Sequence, residues 1–156
     1  MKAKTIYGKS PEELHAALLD SKKDGYQPSL AIVFISVKQD REAVRNLFRR
    51  EGIGLIGATS SGEFIDDYQS SGGIVAMLLD LDKASFRIIS REIGGKLLKA
   101  TAKSMLEEAY GSFSDPAFIL LSTFHSEKGT TIDGESLIRH LVEVAGPDLK
   151  LFGGMA

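Results

Sequence analysis

Two short stretches carry the residue types from which chemistry could be built: Thr59-Ser60-Ser61-Gly62-Glu63 and Ser122-Thr123-Phe124-His125. The first sets three hydroxyls, a glycine and a carboxylate in five consecutive positions. Small hydroxyl residues beside glycine let backbone and side-chain donors come close to a small molecule. A strand-connecting turn with internally satisfied hydroxyls uses the same residues, and residue type does not separate the two. In the second stretch an imidazole follows an apolar run. There His125 can hydrogen-bond a carboxylate, titrate near neutral pH or ligate haem iron. A solvated loop histidine is the plainer account of it.

Other arrangements fail on their physics. Gly52-Ile53-Gly54-Leu55-Ile56-Gly57 matches a dinucleotide-binding pattern letter for letter. That pattern works only when a strand precedes it and a helix N-terminus follows, so that N–H groups meet a pyrophosphate. Here a helix precedes and a strand follows, which presents carbonyls instead. Gly57-Ala58-Thr59-Ser60-Ser61-Gly62 is not a nucleophile elbow, because no glycine stands two positions before either serine. A Ser/His hydrolase would pair Ser60 or Ser61 with His125, and it stays as an alternative reading beside a haem-based gas sensor through His125. The acidic pair Asp66-Asp67 could hold a cation through oxygen ligands, though a solvated loop accounts for it better. His15 and His140 lie in helical stretches with no partner at metal-ligand spacing, and no metal site is expected. The chain has no cysteine, which removes disulfides, thiolate ligands and Cys nucleophiles.

Positioning these stretches falls to four helices. Ser10-Pro11-Glu12-Glu13 is a capping box with Pro at the first helical position. A second helix starts at Asp40 and stops at Gly52, where a left-handed residue is needed. A third runs from about Gly95 to Tyr110 on a 3.6-residue apolar period, and a fourth follows Asp133 up to Gly146-Pro147. Strands are expected at Thr5–Tyr7, Leu30–Val37, Gly54–Thr59, Ala117–Phe124 and Leu149–Gly153. The β-branched run from Leu30 reads as a strand covered on both faces. Ile74–Leu81 and Ser85–Ile93, separated by Asp82-Lys83-Ala84, read as a hairpin. The alternation of strands and helices predicts an α/β fold: a mixed, mainly parallel sheet with helices on its faces and one central β-hairpin. In such sheets ligands sit beyond the carboxyl ends of the strands, where both candidate stretches fall. The reading predicts that they open onto a common hollow.

A chain of 156 residues is long enough for one domain with a real core. Its formal charge of −2 argues against nucleic-acid binding, which needs a cationic surface. The N-terminus lacks the apolar stretch of a signal peptide, and no apolar run is long enough for membrane insertion. A cytoplasmic protein is expected.

Ala31-Ile32-Val33-Phe34, then Gly57-Ala58-Thr59-Ser60-Ser61-Gly62-Glu63-Phe64, and finally Phe152-Gly153-Gly154-Met155-Ala156 resemble the N-terminal half of the FIST sensory domain family. The family pattern runs from a buried strand into a G-C-[ST]-[ST]-[AS]-G-E-I type segment and closes much later on G-G-L-A. This chain departs from it at Ala58, where cysteine is frequent, and at Met155, where leucine stands. The resemblance implies a non-catalytic intracellular input module that binds a small ligand, an amino acid or a similar polar metabolite. It implies a signalling partner such as a histidine kinase, a chemotaxis receptor or a cyclic-dinucleotide enzyme; apart from the resemblance, a homodimer is among the assemblies to expect. It adds Gly153 and Gly154 to the candidate ligand residues Thr59, Ser60, Ser61, Gly62, Glu63, Ser122, Phe124 and His125. No cofactor is expected apart from the haem alternative. The chain stops directly after an apparent buried strand, so it is expected to be the first half of a longer domain.

Overall fold

The computed structural model describes residues 1–65, 68–92, 98–123 and 133–155. They divide into two compact units, Met1–Ile88 and Ile89–Ala156.

In the first unit the order is β1 (Lys2–Gly8), α1 (Pro11–Ser21), β2 (Leu30–Ser36), α2 (Arg41–Arg50), β3 (Gly54–Ser60), β4 (Glu63–Ile65), β5 (Tyr68–Ser70) and β6 (Ile74–Asp80). Local chemistry sets the helix ends. Ser10 Oγ accepts the Glu13 N–H at 3.3 Å, and Asp40 Oδ1 accepts the Ala43 N–H at 2.9 Å. Both bonds satisfy donors that a first helical turn leaves without partners. Past the end of α2, Gly52 takes φ 67°, open to glycine at little cost.

Four strands form a sheet in the order β1-β6-β2-β3. β6 runs antiparallel to both β1 and β2, and β2 pairs parallel with β3, Val33 facing Gly57 and Ser36 facing Ser60. Two of the three pairings are therefore antiparallel, and the sheet is mixed but not mainly parallel. The expected hairpin of Ile74–Leu81 with Ser85–Ile93 does not form among the described residues. The first half is β6, whereas Lys83–Ser85 is a single 3-10 turn and 86–92 is not strand. The cause is edge occupancy. Both hydrogen-bonding edges of β6 are taken by β1 and β2, so nothing is left for the following segment to pair with. The hairpin of this unit is the short β4–β5 pair.

One face of the sheet, through Ile6, Ala31, Val33, Ile35, Ile74, Ala76 and Leu78, packs against Leu14 and Leu18 of α1 and Val44, Leu47 and Phe48 of α2. Both helices thus cover the same face. The opposite face holds the register partners Ile32 and Met77. There Met77 is 43% and Phe34 41% exposed, so β2 is covered less completely than its apolar run suggested.

The second unit contains α3 (Leu98–Ser112), β7 (Ala117–Ser122), α4 (Gly134–Ala145) and β8 (Lys150–Met155). Asp133 caps α4 by accepting the Ser136 N–H at 3.0 Å. The start expected for the third helix, near Gly95, lies outside the described residues. β7 and β8 pair in parallel, Leu120 facing Gly153 and Ser122 facing Met155. One face of this pair, through Phe118, Leu120 and Leu151, packs on Ala102 and Leu106 of α3 and Leu137 and Leu141 of α4.

Candidate functional site

β1, β2 and β3 point the same way, so Gly8, Ser36 and Ser60 all emerge at one end of the sheet. The chain enters β6 at that end through Gly72-Gly73. Polar groups tie these segments together. The Ser36 N–H donates to the Gly73 carbonyl at 3.0 Å. Gln39 Nε2 donates to the carbonyls of Gly72 at 2.6 Å and Lys9 at 2.8 Å.

Glu63 is the charged centre of this corner and is 2% exposed. Ser60 Oγ donates to its Oε1 at 2.7 Å. Its Oε2 accepts from Ser70 Oγ at 3.3 Å, the Gly72 N–H at 3.0 Å and the Gly73 N–H at 2.9 Å. Burial pushes the carboxyl up, and these bonds, Ser60's foremost, outweigh it, so the group sits below its ordinary range. Glycine is required at the entry to β6. Gly72 takes φ 119°, and a Cβ on Gly73 would stand 2.5 Å from the Tyr7 ring and 2.9 Å from Ser70 Oγ.

The remaining residues of the first candidate stretch lie around that carboxylate. Thr59 and Ser60 end β3 half-buried. Alternation sends Thr59 to the helix-covered face and Ser60 to the opposite one, beside Ser36. Ser61 and Gly62 form the exposed turn into β4. Ser70, Gly72, Gly73 and Gln39 were not legible as parts of this corner. The run Ser70-Ser71-Gly72-Gly73 is polar and turn-like, but nothing local says which carboxylate it meets.

In the second unit, Ser122 ends β7 and is 6% exposed. Its Oγ has no hydrogen-bond partner among the described residues. Buried hydroxyls are rarely left so. In β8, Gly153 has φ 129°, and a Cβ there would overlap the Leu120 carbonyl, so packing of the two strands accounts for this glycine. Gly154 is exposed, and among the described residues nothing lies within 4 Å of a Cβ there. Phe124, His125 and Asp66-Asp67 lie outside the described residues. The haem and serine–histidine readings, which need His125, lie there with them.

The glycines of the 52–57 segment have structural causes. The segment runs from the end of α2 into β3, opposite to a phosphate-binding turn. A Cβ on Gly54 would stand 3.0 Å from Ile88 and 3.3 Å from the Phe86 ring, and a Cβ on Gly57 would overlap the Val33 carbonyl. Elsewhere, His15 stands 3.5 Å from Glu51, which also binds Lys22 at 2.6 Å. A surface groove of about 330 Å³ between α1 and α2, lined by Glu12, His15, Leu47, Arg49 and Arg50 among others, carries both signs of charge. Among the described residues no group of three or more His, Asp or Glu side chains gathers as a metal site, and no helix is long and apolar enough to cross a membrane.

Comparison with known families matches the FIST N domain over residues 29–156. Neither a curated protein nor a solved structure matches the chain.

Proposed function

Because the chain belongs to the FIST N domain family, a family of sensory domains in signalling proteins, we propose that it is an input module recognising a small polar molecule at its hydroxyl-bearing strand ends. An amino acid or a similar small carboxylate is the class we favour. Recognition is non-catalytic and takes place in the cytoplasm. Ligand contacts select one conformation over another, and the shift passes to a partner such as a histidine kinase, a chemotaxis receptor or a cyclic-dinucleotide enzyme.

The observation supporting this reading most directly is Ser122. A hydroxyl buried at a strand end without a partner among the described residues is an acceptor and donor held ready for one. Gly154 lies one register position before the partner of Ser122 and is exposed, on the opposite face of the strand pair. In the first unit Ser61 and Gly62 are exposed at the strand end, whereas Glu63 already spends its oxygens within the protein.

The test is a thermal-shift series on the whole chain with the twenty amino acids and small carboxylates. A ligand at about a hundred times its Kd should stabilise by about 2.7 kcal/mol. Ser122→Ala should reduce that shift. Absence of any concentration-dependent shift across the series would overturn the reading.

A further inference from the structure

We infer that the β4–β5 hairpin is a strap latched over the carboxyl ends of β2 and β3 by the Glu63 carboxylate, which acts as the built-in occupant of a four-donor anion cradle. The cradle is formed by Ser60 Oγ, Ser70 Oγ and the successive N–H groups of Gly72 and Gly73. Adjacent backbone N–H groups converging with two hydroxyls make a concavity suited to a carboxylate. The donors come from three places: the end of β3, the end of β5 and the entry to β6. One side chain at the first position of β4 therefore joins the hairpin to the sheet on both sides.

Among the described residues the hairpin touches the sheet mainly through β4, which meets β6, β1 and β2 and half-buries Ile65. Phe64, the middle residue of β4, is 78% exposed, and Gln69 of β5 is exposed as well. An isolated two-stranded hairpin is marginal in water. The four-stranded sheet, by contrast, is held by the apolar layer under α1 and α2, and Glu63 is not part of it. Loss of the latch should thus free the strap as a local unit while the sheet stays folded. Opening uncovers the Ser60 hydroxyl and the paired glycine N–H groups. This inference stands independently of which ligand, if any, the protein senses.

Residue-resolved hydrogen exchange on the full chain tests it. In Glu63→Gln the amides of Gly72 and Gly73 lose a charged acceptor and should exchange about tenfold to a hundredfold faster. Amides within β2 and β6 should keep their protection. Ser70→Ala, which removes the longest of the four bonds, should give a smaller acceleration at the same two glycines. In Glu63→Ala, added acetate should restore protection at Gly72 and Gly73, and chloride at equal ionic strength should not. Unchanged exchange at the two glycines in Glu63→Gln would overturn the inference. So would loss of protection throughout β2 and β6, because the carboxylate would then be holding the sheet itself. Failure of acetate to act differently from chloride would remove the cradle.

Discussion

Replacing Ser122 by alanine should stabilise this protein, against the usual direction for a buried position. Ser122 is 6% exposed, and its Oγ has no partner among the described residues. A buried polar group without a hydrogen bond costs about 1–3 kcal/mol relative to one that is paired or hydrated. Alanine deletes one oxygen, so the void it leaves is small and the desolvation term dominates. The expected gain is about 1 kcal/mol. That corresponds to a Tm rise of about 2–4 °C if the whole chain melts together, and about 4–8 °C if the smaller unit melts alone. Urea denaturation followed by circular dichroism, with a parallel thermal melt, reads the change. Had the hydroxyl a protein partner, the same substitution would cost about 1 kcal/mol, so the sign alone decides. A midpoint shifted downward, with an unchanged denaturant slope, would refute the reasoning and withdraw the main support for a ligand at this strand end.

Three further outcomes follow from the geometry. Gly153→Ala should cost about 2–4 kcal/mol, since it adds left-handed strain to an overlap with the Leu120 carbonyl, whereas Gly154→Ala should change stability by less than about 0.5 kcal/mol; paired urea curves give both values. Glu63 has its folded-state pKa below the ordinary glutamate value, so its contribution is fully present above the ordinary carboxylate range and is lost as pH falls through the folded value. Stability measured from pH 6 downward should therefore fall more steeply in the native protein than in Glu63→Gln, and equal slopes would contradict the assignment. Asp40→Ala removes the cap of α2 and should cost about 1 kcal/mol, measured as a shift in denaturation midpoint.

The helices were readable along the chain because their end signals are local. Ser10, Asp40 and Asp133 each cap a helix as their positions implied, and Gly52 and Gly146 follow the ends of α2 and α4 at positive φ. A cap needs only the next three residues, so neighbouring letters suffice. The family motif was legible for a similar reason, being one continuous segment at 57–64 and another near the end of the chain.

Strand pairing was not legible in that way. Ile74–Asp80 was recognisable as a strand, but its neighbours are β1 and β2, more than thirty residues away, and they displaced the hairpin that its nearest apolar run suggested. Turn residues and alternation describe one strand at a time, whereas an edge is filled by whichever strand the whole fold brings to it. The same holds for Glu63. Its presence beside three hydroxyls was visible in the letters, but its role depends on Gly72 and Gly73, which the pairing of β4 with β5 folds back onto it. Element boundaries and family membership are properties of short segments and could be read directly. The sheet order arises from contacts between distant segments and the satisfied carboxylate from a turn folded back on itself, and only folding creates them.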